Sequence, residues 1–182
     1  MGGNVKNISK SSVWRFNLLM ILVMLGTQNN SFHRLLEKIE ELIKDNIIKD
    51  EVVVQAGYTK FKSDYMQIFD MIPREELEEY QKQADLIITH GGVGSIITSL
   101  KLGKKVIAVP RLHEHGEHVN NHQIEIVELF DKKGYIIGCI DVEKLEEALE
   151  KVKNFTPKKY ELDNHKMLDT IEKFICYYFY FL

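Results

Sequence analysis

The stretch THGGVGS, residues 89–95, decides how this chain reads. It follows the run ADLII at 84–88, which has the composition of a buried strand. It precedes Ile96, Ile97, Leu100 and Leu102, apolar at roughly helical spacing. Three glycines and a histidine therefore stand where a strand hands over to a helix. A helix N-terminus carries N–H groups without intrahelical acceptors and the positive end of the helix dipole. Glycines there let an anion such as a diphosphate approach to hydrogen-bonding distance. The same glycines also suit a plain tight turn. The loop has neither a complete GxGxxG nor a Walker lysine, so taken alone it leaves both readings open.

Outward from this loop the chain alternates between two periods. Short continuous apolar runs predict strands at 21–25, 51–56, within 65–72, 85–89, 105–109 and 135–137. Between them, 3.6-residue spacing predicts helices. One is capped by Ser31 and carries Phe32, Leu35, Leu36, Ile39, Leu42 and Ile43; a second opens at Pro73 with Leu77 and Tyr80 inward. Others run over 95–102 with Gly103 as the stop, from about 117 to 133 with Gly134 after it, over 142–152 behind Asp141, and onward from Asp163. Strands of this kind alternating with helices predict one doubly wound α/β domain, Rossmann-like, with a parallel sheet covered on both faces. Ligands of such sheets bind at the carboxyl ends of the strands. Three polar or glycine-bearing loops fall there, at 26–30, 90–95 and 111–121.

The 182 residues, 45% hydrophobic and 28% charged, suit a single domain with a real core. A net charge of −3 with mixed signs argues against a nucleic-acid partner. Cys139 and Cys176 are far apart and form no CxxC motif, which suits free thiols of a cytosolic protein. No apolar run approaches the ~20 residues of a membrane span. The polar, mildly basic residues 1–19 read as an appended remnant or upstream start outside the fold. The end of the chain, FICYYFYFL, reads as the apolar face of a last helix, a partner contact or a lipid-interface patch, with 176–182 as an aromatic tail.

The loop after the 105–109 strand, within VPRLHEHGEHVNNHQ, crowds His113, His115, His118 and His122 with Glu114, Glu117, Asn120, Asn121 and Gln123. These donors and acceptors suit ribose, uracil or sugar hydroxyls. His118 and His122, four apart, also have a zinc-like spacing if they share a helix. A hydrated polar helix start is the third possibility.

With both loops in view, the stretches THGGVGSIITSLKLGKKVIAVPR, EHVNNHQIEIVELF and GYI resemble the C-terminal, donor-binding half of glycosyltransferase family 28. The likeness spans residues 20–175 and extends to LGTQNNSFHRLL and FDMIPREELEEYQKQADLIITHGG. It is closest to small one-domain catalytic subunits, the PssE-type bacterial polysaccharide glycosyltransferases and the catalytic subunit of the eukaryotic dolichol-linked UDP-GlcNAc transferase. The resemblance implies half of a GT-B fold. It implies an inverting, metal-independent hexosyltransferase that moves a sugar from a UDP-sugar to a polyprenyl-diphosphate-linked saccharide, in exopolysaccharide or capsule biosynthesis. It further implies a membrane-anchored, PssD-like subunit that supplies the acceptor side and holds this one at the cytoplasmic face of the membrane, and no cofactor.

Carried over residue by residue, the resemblance places His90, Gly91, Gly92, Gly94 and Ser95 in the diphosphate and nucleotide loop. Gly26 and Thr27 fall in the first loop facing the cleft. Glu117 and His118 fall where relatives contact donor sugar and diphosphate, with Asn121 and Gln123 beside them. Many relatives hold the ribose with a glutamate where this chain has Thr98, and a hydroxyl cannot accept two bonds as a carboxylate does. No residue stands out as the general base. His90 and His33 are candidates; in whole-chain relatives the base stands on the amino-terminal half, so the resemblance also points to the partner as its source. Two competing readings are a UDP-sugar epimerase, which needs both halves of the fold, and a regulatory nucleotide-sugar-binding module without activity of its own.

Overall fold

The computed structural model describes residues 20–160. The N-terminal extension, Cys176, the aromatic tail and the helix expected from Asp163 lie outside them. Six strands form one fully parallel sheet: β1 (Met20–Met24), β2 (Glu51–Gln55), β3 (Gln67–Phe69), β4 (Leu86–His90), β5 (Lys105–Val109) and β6 (Ile137–Gly138). Their spatial order is β3-β2-β1-β4-β5-β6. The order reverses direction at β1, whose two edges pair with β2 and β4 (Val23 opposite Val54 on one side and Ile88 on the other). The loops leaving β1 and β4 therefore diverge and open a crevice at the carboxyl edge.

Side-chain alternation along the strands sorts the core into two layers. Ile21, Val23 and Leu25 face α1 (His33–Lys44) and α5 (Leu145–Lys153), where they meet Leu35, Leu36, Ile39, Leu145 and Leu149. Leu22 and Met24 face the other way, toward α2 (Arg74–Gln83), α3 (Val93–Lys101) and α4 (His122–Lys132), where Ile96, Leu100, Val127 and Phe130 are buried. Burial on both faces is why these strands read as unbroken apolar runs. Cys139 is a free thiol in the first layer, and burial pushes its pKa up to about 11.

Several boundaries differ from the sequence expectation, each for a local reason. Ser31 does not cap α1. The cap position is Phe32, whose N–H donates to the buried Thr59 hydroxyl at 2.9 Å, while Ser31 Oγ has no partner. Helix α3 begins at Val93, with Gly92 as its cap, two residues before Ser95. Helix α4 begins only at His122. Gly116, at φ +68°, breaks the preceding segment into a short 3-10 turn over His113–His115 followed by a loop. Strand β6 starts later than expected because Gly134 (φ +75°) closes α4 and the Tyr135 N–H is spent on the Phe130 carbonyl at 3.1 Å. Asp141 does cap the last helical segment, accepting from the Glu143 N–H at 3.0 Å.

Candidate functional site

The carboxyl ends of β1, β4 and β5 bring the three expected loops together. His90 is the last residue of β4 and sits between two glycines. A Cβ added at Gly26 would lie 2.6 Å from His90 Cε1, and one at Gly92 would run into the same ring. Gly26 also sits at φ +75°, the left-handed region that glycine tolerates. Both glycines therefore make room for the imidazole first, and only through it for a ligand. The Nδ1 of His90 lies 3.4 Å from the Met24 carbonyl. A proton on Nδ1 makes it a donor there and leaves Nε2 as an acceptor toward the two glycines. Loss of hydration, helped by the charge of Arg111, pushes the pKa of His90 down to about 4, so the ring is neutral at physiological pH.

Beyond His90, the backbone of Val93, Gly94 and Ser95 forms the first turn of α3. The N–H groups of a first turn have no acceptor within their own helix. Gly94 is exposed, and a Cβ placed there meets nothing within 4 Å. This is the open part of the glycine loop. Gly91 is different: it is buried, its N–H donates to Gln123 Oε1 at 3.1 Å, and an added Cβ would strike Gln123 Cβ at 2.8 Å. Gly91 serves the packing of α4 against the loop, and its N–H is not available to a ligand.

Gln123 likewise takes a framework role. Its Oε1 accepts both the Gly91 and the Arg111 N–H, the latter at 3.0 Å, and so pins the glycine loop to the loop after β5. Glu117, expected near the donor, is 4% exposed and its carboxylate is fully engaged. Arg34 of α1 binds it bidentately, Nε to Oε1 at 3.0 Å and Nη2 to Oε2 at 2.9 Å, and the Leu112 N–H adds a third bond at 3.0 Å. Thr98 is exposed, but its hydroxyl donates within α3 to the Gly94 and Ser95 carbonyls and accepts from Gln81 Nε2 at 3.2 Å. Asn121 Oδ1 accepts from the His113 N–H at 2.8 Å, which holds the 3-10 turn. Thr27 is exposed on the first loop. His33 is exposed at the start of α1 with its ring against Phe61, centroids 6.0 Å apart.

His118 and His122 do meet, although they share no helix. Their rings pack edge to face with centroids 4.6 Å apart. His118 Nδ1 accepts from the Asn120 N–H at 3.3 Å, which places its proton on Nε2. His122 Nδ1 is paired with Asn120 Oδ1, which assigns that nitrogen as a donor and leaves Nε2 as an acceptor. Burial lowers the basicity of both rings. The pair thus offers one donor and one acceptor beside the glycine loop, which suits hydroxyl recognition. Among the described residues, no group of three or more His, Cys, Asp or Glu side chains is placed to hold a metal ion.

Three framework residues were not singled out from the sequence. Gln55, at the end of β2, binds both sides of Gly26: Oε1 accepts the Gly26 N–H at 3.2 Å, and Nε2 donates to the Gly26 carbonyl at 3.0 Å. Arg34 holds Glu117. Arg111 is 1% exposed and donates to the carbonyls of Leu25, Asn30 and Glu117. A polar residue at the carboxyl end of a buried strand, as Gln55 is in β2 and Arg111 is two residues beyond β5, is the signal present for two of them.

A fully parallel sheet with a switch point at β1 and a glycine loop entering α3 define a single α/β domain of the kind that forms the C-terminal half of GT-B glycosyltransferases. Residues 20–174 match the glycosyltransferase family 28 C-terminal domain, and the chain belongs to that family. Among curated proteins it is similar to the UDP-N-acetylglucosamine transferase subunit ALG13 of Candida albicans, 35% identical over 81 residues. That match covers 44% of this chain and 26% of the relative. The ALG13 subunit of Candida glabrata is 32% identical over 92 residues, covering 50% of this chain and 43% of the relative. The chain thus spans less than half the length of these curated relatives. Of solved structures, the glycotransferase of kitacinnamycin superposes with a TM-score of 0.57 at 17% identity, covering 84% of this chain and 40% of the other. The solution structure of ALG13 does so with a TM-score of 0.53 at 17% identity, covering 84% and 94%.

Proposed function

We propose that this chain is the donor-binding, catalytic-type subunit of a two-component glycosyltransferase that takes its sugar from a UDP-sugar. The observation that carries the proposal is the open first turn of α3 at the carboxyl edge, with Gly94 exposed and His90 held neutral beside it. The diphosphate would sit against the N–H groups of Val93, Gly94 and Ser95. The sugar hydroxyls would then face His118 and His122.

In the reaction proposed, an acceptor hydroxyl oxygen attacks the anomeric carbon from the face opposite UDP. The new C–O bond forms as the bond to the diphosphate breaks, which inverts the centre. The hydroxyl proton passes to a general base, and the electron pair leaves with UDP. Helix-end N–H groups stabilise the charge that develops on the diphosphate, so a metal ion is not required for this step. His33 is exposed on α1 and His90 is walled in by glycines, so the base is assigned to the partner subunit. That partner, PssD-like and membrane-anchored, would carry a polyprenyl-diphosphate-linked acceptor for exopolysaccharide or capsule synthesis and bring this subunit to the cytoplasmic face of the membrane. No helix among the described residues is long and apolar enough to cross a membrane.

The engaged hydroxyl of Thr98 favours a second reading, a regulatory nucleotide-sugar-binding module without transfer activity. Transfer from UDP-sugars to a lipid-linked acceptor, measured with and without the co-expressed partner, separates the two. Activity only in the complex supports the subunit. UDP binding without transfer in any combination supports the module. Transfer by the single chain refutes the two-component scheme.

A further inference from the structure

At the loop after β5, Arg34 of α1 and Arg111 meet one buried glutamate, Glu117, and the three charges do not cancel. Glu117 is consumed by the bidentate bond from Arg34 and by the Leu112 N–H. Arg111 is left with carbonyls alone: Leu25 at 2.8 Å and Asn30 at 2.7 Å from the loop after β1, and Glu117 at 3.4 Å. Its Nε has no partner, and its guanidinium lies over the Phe32 ring at 5.0 Å. Among the described residues no carboxylate forms an ion pair with it, and the charge of Glu117, already bound by Arg34, acts on it only from farther off. Burial lowers its pKa to about 10, which still leaves it cationic at neutral pH. A buried cation without a counter-ion is costly to maintain. This one sits behind the loops that flank His90.

We infer that Arg111 is a positioning residue of the donor site. Its guanidinium fastens the loop after β1 to the loop after β5, and its unbalanced charge supplies, through the backbone rather than by contact, positive potential for a bound diphosphate. The groups whose charges act on His90 are Arg111 and His118. Arg111 therefore adds to the effect of burial in keeping the His90 ring neutral, with Nε2 an acceptor. A group so enclosed cannot touch the ligand, and for the same reason its field is little screened by solvent.

This inference rests on the donor-site reading, and its test separates the two. Calorimetry of the full chain with UDP and with uridine is compared for wild type, Arg111→Met and Arg111→Lys. In parallel, the ring protons of His90, assigned by their loss in His90→Gln, are titrated by NMR. Arg111→Met is expected to weaken UDP about tenfold or more while changing uridine less than about twofold. Arg111→Lys, which keeps the charge but not the fork, restores part of the UDP affinity. The His90 titration moves upward in Arg111→Met and stays near its wild-type position in Arg111→Lys, which keeps the charge; loosened packing, which rehydrates the ring, would raise it in both. Equal weakening of UDP and uridine, or an unmoved His90 titration in folded Arg111→Met, overturns the inference. Wild type that binds no UDP refutes the donor-site reading instead, and the His90 titration still decides whether Arg111 governs that ring.

Discussion

Truncating Glu117 to alanine distinguishes a framework carboxylate from a ligand contact. The structure gives the side chain three bonds, two from Arg34 and one from the Leu112 N–H. Removing it leaves that N–H buried without an acceptor, worth about 1–3 kcal/mol. It also strips Arg34 of its carboxylate, leaving Nη2 only the Pro110 carbonyl at 3.2 Å. Breaking a fully buried pair costs about 3–5 kcal/mol. The Arg34 side chain, however, is 18% exposed and recovers part of its hydration. The expected loss is therefore about 3 kcal/mol, or a fall of roughly 6–12 °C in Tm for a chain of this size. Urea unfolding of Glu117→Ala without UDP measures it, with an unchanged slope as the check that the denatured state is the same. Arg34→Met should couple to Glu117→Ala by about 1 kcal/mol or more, because the two side chains share their bonds. A stability within about 0.5 kcal/mol of wild type, together with lost UDP affinity, would refute the framework role and return Glu117 to the donor site.

Gly94→Val should fold with stability within about 0.5 kcal/mol of wild type, since the position is exposed, yet lose UDP binding at least ~tenfold by calorimetry; intact binding would move the diphosphate elsewhere. Gln123→Ala leaves the Gly91 and Arg111 N–H groups unpaired and should cost about 2–4 kcal/mol in urea unfolding, a prediction that a loss below about 1 kcal/mol would defeat. For His90 the folded pKa of about 4 lies below the unfolded value, so its contribution to stability is complete above pH ~6.5 and is lost as pH falls toward 4. Between pH 7 and 4.5 wild type should lose about 2–3 kcal/mol more than His90→Gln, and parallel pH profiles would contradict the buried neutral ring. Transfer by the assembled complex should survive EDTA; loss of activity restored by manganese or zinc would point to a metal-bound donor.

The fold was legible because a doubly covered parallel sheet writes itself as uninterrupted apolar strands, and VVVQ at 52–55 and VIAV at 106–109 are plain instances. The glycine loop was legible in position, but its division of labour was not. Gly91, Gly92 and Gly94 look alike in sequence and face α4, His90 and open space respectively. Residues 117–121 were read as helix because their polar side chains carry no period that excludes one. In the folded chain Asn120 and Asn121 instead spend their side-chain oxygens on the N–H groups of His122 and His113. Glu117 and Gln123 are placed beside the donor by the resemblance to relatives, which carries over positions but not the bonds that each side chain makes in this fold. Their actual partners, Arg34 and the backbone at Gly91 and Arg111, lie tens of residues away or across a loop whose path only the fold defines.

The central place of β1 has a consequence for how the molecule is born. During synthesis β1 emerges well before β4, and Thr89, whose hydroxyl bonds the Met24 carbonyl, follows Met24 by 65 residues. At ribosomal speed the second edge of an almost wholly apolar strand stays unpaired for several seconds after α1 and β2 can cover the first. Such an edge templates strand addition from other nascent chains. Low temperature and slow expression, or a chaperone that shields residues 21–25, should therefore raise the soluble yield more than any change at the binding loops.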